Sequence, residues 1–393
     1  MSKEKTSFEL TPSFILLLAV SCGVAVASLY YIQPLESMIA VDFGVSVGNI
    51  GFAAMLTQIG YALGLFFIVP LGDIFERRSL IIRMLVLVVI ALIGVTISRN
   101  YVFFALALFI VGITSIVPQL IIPYAAQLAN PEKRGSVLGT VMGGLLIGIL
   151  LSRTFSGMIG SVLGWRPVYL FATGLILLLL LIIRITFPKS YPTTKVSYLY
   201  LLRSIPRLVK NQRVLQASAV NGFFMFGSFS VFWTSLIFLL ESPEYHMGTR
   251  EAGLVGLVGV VGALAAPIIG KFNDKGDPGV SVGIGTVLSA LAYICFWFFG
   301  YQLIGLISGV IILDLGNQSA QVSNQARIQA LGDEVRSRNN TVYMSSYFIG
   351  GALGSFLGTL SWQMYGWHGV CAVGLLFQMG ALIAHYLMYK EKK

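Results

Sequence analysis

The sequence predicts an all-α membrane protein with twelve transmembrane helices arranged as two six-helix halves. Three observations carry this. Hydrophobic residues make up 56% of the 393 residues and charged residues only 11%, and the mean hydropathy is +0.83, a balance far from that of soluble domains. Twelve apolar runs have about the 20 residues needed to cross a hydrocarbon core at roughly 1.5 Å per residue. Related segments also stand at corresponding places in the two halves. The runs fall at 13–39, 47–71, 79–98, 101–128, 136–163, 167–187, 216–240, 251–270, 279–299, 303–329, 340–364 and 368–388. Backbone groups in lipid need internal partners, and the period-two alternation of a barrel is absent, so each run is read as helix.

Orientation follows from the basic residues. With the N-terminus in the cytoplasm, 22 of the 26 Lys and Arg lie on the inner side, and only Arg99, Arg166 and Arg250 lie on the outer side. The positive-inside rule therefore places both termini in the cytoplasm. The net charge of +10 is a product of topology, and no nucleic-acid partner is expected. The run from Ser13 is too long for a signal-peptide core and lacks a cleavage site, so it is read as the first span. Cys22, Cys295 and Cys371 lie within spans without paired spacing, and His246, His368 and His385 lack metal spacing. Neither disulfide, metal nor cofactor is expected.

Taken in order, the first span carries Tyr30, Tyr31, Gln33, Pro34 and Glu36 in its outer half. The second carries Gly60 and Gly64 and runs into VPLGDIFERRSL, which holds Asp73, Arg77 and Arg78. The fourth contains Pro118, Gln119 and Pro123, with prolines that loosen a helix locally. The fifth steps by four through Gly144, Gly148, Ser152, Ser156 and Gly160, and holds Arg153. After the sixth, a linker at 188–215 separates the halves at 1–187 and 216–393. Within it Leu199, Leu202, Ile205 and Leu208 stand at helical spacing among Arg203, Arg207, Lys210 and Arg213, as suits a helix against anionic membrane lipids. The seventh span opens at Asn221 and contains FFMFGSFSVFW, with Phe224 and Trp233. Rings beside an adaptable Met225 suit flat or amphipathic organic molecules. The eighth steps by three through Gly253, Gly256, Gly259, Gly262 and Ala265, and ends in IIGKFNDKGDPG with Asp274 and Lys275. The tenth holds Asp314 and Gln318, and the eleventh Gly350, Gly354 and Gly358. Lipid supplies no hydrophobic force between helices, so small-residue faces mark close approach, here expected where the halves meet and rock.

Arg153 is the anomaly. A charge near the bilayer centre costs at least about 2.5–3.5 kcal/mol on insertion scales, so it must be paired or face water. Of the acids, only Asp314 lies near the middle of a span, at a depth matching Arg153. The expectation is a pair, direct or through water, across the central cavity. Arginine does not release its proton, whereas a carboxyl does. An apolar site favours the protonated carboxyl and a nearby guanidinium favours the ionised one. At about 4 Å and an effective dielectric near 20 the attraction is roughly 4 kcal/mol, enough to load or unload a proton as the pair separates and closes. Proton-coupled transport follows, with Asp314 and Arg153 as the coupling residues.

The loop after the second span resembles the major facilitator superfamily, whose signature there is roughly G-x-L-x-D-R-x-G-R-R. The first copy keeps Leu71, Gly72, Asp73, Arg77 and Arg78, with Val69, Ile74 and Glu76 in place of Gly, Arg and Gly. The second copy keeps Gly270, Asp274, Lys275 and Gly276. YYIQPL at 30–35, RGSVLGTVMGGLLIGILLSRTFSG at 134–157, DLGNQSAQVSNQ at 314–325 and RSRNNTVYMSSYFIGGALGSFLG at 336–358 are similar to a bacterial branch of drug and metabolite efflux proteins. The fourth span has Leu108 where such proton antiporters often carry Arg.

The resemblance implies the major facilitator fold in a bacterial inner membrane, acting by alternating access on small molecules, as a monomer. It places the first, fourth, seventh and tenth spans around the cavity. Tyr30, Tyr31, Gln33, Glu36, Gln119, Asn221, Phe224, Trp233 and Gln318 thereby become candidate substrate contacts. It also pairs the second span with the eleventh and the fifth with the eighth. Asp73 would then meet the start of the eleventh span at Asn339–Thr341, and Asp274 would meet Gly135–Ser136. A carboxylate there stabilises a helix N-terminus by roughly 0.3–1 kcal/mol, so Asp73, Arg77, Arg78, Asp274 and Lys275 form the expected gate. Proton-coupled efflux is the reading, with symport of a metabolite as the alternative.

A membrane enzyme is a remoter alternative, because no Ser/His/Asp set, metal motif or nucleotide loop is visible. A channel would need acidic rings or a selectivity sequence. Saturable flux with counter-transport in liposomes separates a carrier from both.

Overall fold

Residues 10–130, 133–191, 197–273, 276–332 and 335–389 are described by the computed structural model, and no strand occurs among them. The helices are α1 (Pro12–Ala27), α2 (Glu36–Phe43), α3 (Val47–Phe67), α4 (Arg77–Ile97), α5 (Tyr101–Thr114), α6 (Val117–Leu128), α7 (Arg134–Leu163), α8 (Trp165–Thr186), α9 (Tyr198–Asn211), α10 (Arg213–Leu240), α11 (Thr249–Val255), α12 (Val260–Asn273), α13 (Pro278–Phe299), α14 (Leu303–Gln329) and α15 (Arg336–Met388). Short polar residues set several starts by accepting a hydrogen bond from an otherwise unpaired backbone N–H. Asn100 takes one from Phe103 at 2.9 Å, and Asp277 one from Gly279 at 2.7 Å.

Among the described residues, nine helical stretches are long and apolar enough to cross a membrane. Three local events account for the difference from the predicted segmentation. The first segment breaks after the 16 residues of α1, passes through a 3-10 turn at Gln33–Leu35 and resumes as α2. The eighth is interrupted by a 3-10 turn at Gly256–Gly259 between α11 and α12. The eleventh and twelfth run on as the 53-residue α15, in which only Gly366, at φ 60°, departs from helical geometry. The fourth segment also breaks between α5 and α6, where Pro118 enters the first turn of the new helix.

Of the glycine stripes, that of the eighth span meets α7 where the halves were expected to join, at Gly253, Gly256 and Gly259, while most of the others lie elsewhere. Gly144 and Gly148 press on Ala19 and Gly23 of α1, Gly60 on Phe109 of α5, and Gly350 and Gly354 on Phe223 and Gly227 of α10. A Cβ at Gly350 would stand 2.0 Å from the Phe223 carbonyl oxygen. These are contacts of a helix with its companion within the same half, the closest backbone approaches in the bundle. The α3–α15 seam between the halves uses polar side chains instead. Along α3 and α15, Gln363 accepts from the Gly48 N–H at 3.0 Å, Gln58 donates to Ser355 at 2.6 Å, and Ser345 donates to the Ala62 carbonyl at 3.4 Å. The second seam joins α7 to α11, where Thr154 donates to the Gly253 carbonyl at 3.0 Å and Gly157 lies against Thr249 and Gly253.

The two seams differ in length. The end of the bundle bearing Arg77, Arg78, Arg134 and Arg338 is here termed the basic end, and the other the distal end. The α3–α15 seam reaches the basic end, where Ser337 donates to Asp73 Oδ2 at 3.4 Å. The α7 seam does not. Gly139 lies 18 residues, five turns at roughly 3.6 residues each, from Gly157 on the same face of α7, and meets no described atom within 4 Å. The bundle is thus shut at the distal end, and among the described residues the closure along α7 does not extend to Gly139.

Glu76, a departure from the family signature, has a clear role. Its carboxylate caps α4, accepting from the Arg78 and Ser79 N–H groups at 2.9 and 2.8 Å, and from the Ser190 N–H at 2.9 Å. Partial burial raises its proton affinity, but the hydrogen bonds from Ser79, Ser190 and Arg78 outweigh burial and hold the carboxyl below its ordinary value. A depressed carboxyl contributes stability that is full above its unfolded-state pKa and is lost as pH falls through the folded-state value. Glu76→Gln is therefore expected to cost about 1 kcal/mol at neutral pH. In thermal melts the gap to the parent protein should close as the pH drops below the ordinary carboxylate range.

Candidate functional site

Helix breaks shape the site. Because α1 stops at Ala27 and Pro34 opens a 3-10 turn, Gln33 leaves the helical register, and its Oε1 accepts from Arg153 Nε at 2.7 Å. Irregular backbone at such depth is tolerated where it is buried in protein or lines a cavity. The Arg153 guanidinium, 2% exposed, lies 3.9 Å from the centroid of the Trp233 ring, with Tyr30 at 5.3 Å and Phe229 at 5.8 Å. A cation over desolvated aromatic faces gains about 2 kcal/mol. One of its terminal nitrogens, Nη2, has no partner.

Asp314, 5% exposed, interacts electrostatically with Arg153, yet the two form no ion pair. Trp233 neighbours both. Its ring carries the guanidinium, and its indole N–H is directed at the Asp314 carboxylate while falling short of hydrogen-bond geometry. Asp314 Oδ2 is itself without a hydrogen-bond partner.

Both charged side chains rest on the 3-10 turn at Gly256–Gly259. Three residues per turn stack the two glycines on one face. A Cβ at Gly256 would lie 3.0 Å from Arg153 Cβ, and one at Gly259 would lie 2.8 Å from Asp314 Oδ2. The step of three legible in the sequence thus becomes a smooth backbone surface along which the two charges sit.

On the basic side of this cluster is a cavity of about 90 Å³, walled by Tyr30, Tyr61, Phe226, Phe229, Tyr347 and Phe348, with Gln119, Asn317, Gln318 and Gln321 as its polar groups beside Arg153 and Asp314. Phe226 stacks on Tyr347 at 4.0 Å, and Tyr61 meets Phe348 at 4.3 Å. Drug-sized ligands occupy roughly 300–1,000 Å³. Loading an organic molecule therefore requires these rings to move apart.

The sequence-derived residues divide accordingly. Tyr30, Gln119 and Gln318 line the cavity, and Gln33 and Trp233 form its roof with Arg153. Four others point elsewhere. Tyr31 occupies the opposite side of the first segment, in an apolar groove between α1 and α7. Glu36 is fully buried at the start of α2, with neither carboxyl oxygen partnered, and does not line the cavity. Asn221 is tied to Thr286 at 3.3 Å and Asn324 at 2.8 Å between α13 and α14. Phe224 packs edge-on to Phe377 against the second stretch of α15. The reason is helical period: on α10, positions 226, 229 and 233 share the cavity face while 224 falls behind it. Tyr61, Tyr347 and Phe348 were not anticipated, because α3 and α15 were assigned to the gate alone. The string YMSSYF at 343–348 was the available signal.

At the expected gate, Asp73 bonds Arg77 at 3.1 Å and meets α15 at Ser337 rather than at Asn339–Thr341. Arg77 also donates to the Gly72 carbonyl at 3.0 Å and to Gln127 at 2.8 Å, and Arg78 donates to the Arg184 carbonyl. Asp274 and Lys275 lie outside the described residues.

A bundle of membrane-length helices, shut at one end over a buried charged site, has the build of a small-molecule carrier. The sequence pattern of the Major Facilitator Superfamily matches residues 15–359, and the chain belongs to that family of transporters. It is 40% identical over 370 residues to the "Uncharacterized transporter YgaY" of Escherichia coli O157:H7, covering 94% of each chain. It is 32% identical over 361 residues to the "Probable transporter SCO4007" of Streptomyces coelicolor, covering 92% of this chain and 84% of that one. The fold is similar to that of a bacterial homologue of the human lysosomal transporter Spinster, solved inward-facing and unoccupied, with a TM-score of 0.72, 15% identity, and 97% and 96% of the two chains covered. The protein is a multi-pass membrane transporter.

Proposed function

We propose that the protein is a proton-coupled antiporter that exports small amphipathic organic compounds from the bacterial cytoplasm, as a monomer and without catalysis. In this reading residues 1–187 and 216–393 form the two halves, joined by the linker at 188–215, and the basic end faces the cytoplasm. The observation that carries it is the Arg153–Trp233–Asp314 cluster, buried at the head of an aromatic cavity with an unpartnered carboxylate oxygen. The permanent cation of Arg153 fixes the local field, and Asp314 takes up and releases the proton. With the distal end shut, the cavity receives substrate from the basic end. Rocking of the halves to part α7 from α11 would expose Asp314 distally, where a proton replaces the departing substrate. Asp73, Arg77 and Arg78, with Asp274 and Lys275 in the second copy, would latch the basic end as it closes.

The test begins with compounds against which overproduction of the protein protects growing cells. Their ΔpH-driven uptake into inside-out vesicles is expected to vanish in Asp314→Asn, while exchange without a gradient persists. Uptake undiminished in that variant would remove Asp314 from coupling.

A further inference from the structure

At the distal end, away from the transport cavity, a separate cavity of about 410 Å³ opens between α2 on one side and α10 and α15 on the other. Val41 and Gly44 at the end of α2 form one wall and Glu241 at the end of α10 the other, over the stacked rings of Phe238 and Trp362, 6.3 Å apart. The Ser37 hydroxyl donates to the Glu241 carboxylate across this opening. Every connection at this end is among the described residues, and of those lining the cavity Glu241 is the one that carries charge. It enters no ion pair among the described residues. Burial raises its proton affinity above the ordinary value, and the Ser37 hydroxyl opposes this. Helix ends add to the negative potential. Both α2 and α10 terminate on the cavity, and a helix C-terminus carries partial negative charge. The start of α3 borders it too, but the Gly48 and Asn49 N–H groups there are taken up by Gln363 and Ser46 at 3.0 and 3.3 Å.

We infer that this cavity binds a monovalent organic cation with an apolar body, of the quaternary ammonium or phosphonium kind. The carboxylate and two helix C-termini attract the charge, and aromatic rings hold a weakly hydrated cation. A small inorganic cation gains nothing from the rings, and a neutral apolar molecule gains nothing from Glu241. The volume suits a drug-sized ligand, whereas the transport cavity in the same conformation is far smaller. Because its walls come from α2 on one side and α10 and α15 on the other, an occupant would tie them together and slow distal opening. The site requires neither proton coupling nor a direction of transport.

Val41, 80% exposed, stands at the mouth of the cavity, so Val41→Cys in a Cys295→Ser background offers one accessible thiol there, Cys22 and Cys371 being buried. The purified variant is labelled with a charged maleimide in the presence of rising tetraphenylphosphonium chloride. Protection is expected. The half-protecting concentration should rise about tenfold in Glu241→Gln, which removes the charge and keeps an acceptor for Ser37. Glu244→Gln, at an exposed carboxylate three residues on, should leave it unchanged. A thiol introduced by Val162→Cys, 79% exposed in the last turn of α7 at the same end, should stay unprotected. Absence of protection, equal protection at both thiols, or a shift in Glu241→Gln no larger than in Glu244→Gln would overturn the inference. Equal protection by sodium chloride would mark a field for any cation and overturn the organic class.

Discussion

Arg153→Met is expected to abolish transport without lowering the melting temperature. The guanidinium is fully enclosed, holds one side-chain hydrogen bond, to Gln33, and leaves Nη2 unpartnered. Enclosing an ion this incompletely satisfied costs several kcal/mol, and a methionine of similar length fills the volume between Trp233 and Phe229 with no such penalty. Stability is therefore unchanged or increased, while Asp314 loses the cation that sets its field. Arg153→Lys keeps the charge but gives up the flat contact with Trp233 and the Nε bond. Those interactions are worth about 3–5 kcal/mol together, so transport should fall by a hundredfold or more. Transport assays in vesicles paired with thermal melts of the purified variants check both statements. A large drop in melting temperature with transport retained would make Arg153 a packing residue.

Gly253→Val is expected to hold the distal end open. The added carbon would stand 2.8 Å from the Arg153 carbonyl oxygen and 3.0 Å from Gly157 Cα, both backbone atoms without room to yield. The clash lies on the seam between α7 and α11, so the halves can remain folded while the seam parts. A cysteine at Leu236, 2% exposed beneath this seam, reports on the change in a Cys295→Ser background. Its labelling by an impermeant maleimide from the distal side should rise about tenfold or more, as expected when a closure worth a few kcal/mol is lost. Gly139→Val, on the same face where α7 stands free, should leave that labelling low. Equal labelling of both variants would detach the distal closure from the Gly157–Gly253 contact.

Much of this architecture was legible because lipid imposes strict local rules. Apolar length marked the membrane segments, and the expense of burying Arg153 singled it out before any geometry was known. The step-of-three glycines were read as a packing face of one continuous span, and the 3-10 turn at Gly256–Gly259 was not foreseen. What failed were inferences about which surface a face meets. Gly144, Gly148, Gly350 and Gly354 signal close approach correctly, but spacing cannot say whether the neighbour belongs to the same half. Tyr31 and Phe224 were placed with Tyr30 and Phe226 because adjacency in sequence was read as adjacency in space, whereas consecutive helical residues diverge by about 100°. Glu36 was named for substrate contact because the first segment was read as one continuous span, whereas it breaks after Ala27 and leaves Glu36 fully buried at the start of α2. Trp233 was named for substrate contact, and its place beside both charges follows from side chains of α7, α10 and α14 meeting, which no single segment encodes.

The turn at Gly256–Gly259 has a consequence for how such a site diversifies. The room left to the cation and the carboxylate is kept by carbon atoms that are missing, so it is adjustable in steps of one methyl group without substituting either ion. At Gly259 an added methyl would crowd Asp314 and Leu150 alike. The bare backbone there acts as a spacer gauge, and the crowding around the carboxylate changes when that gauge alone is edited.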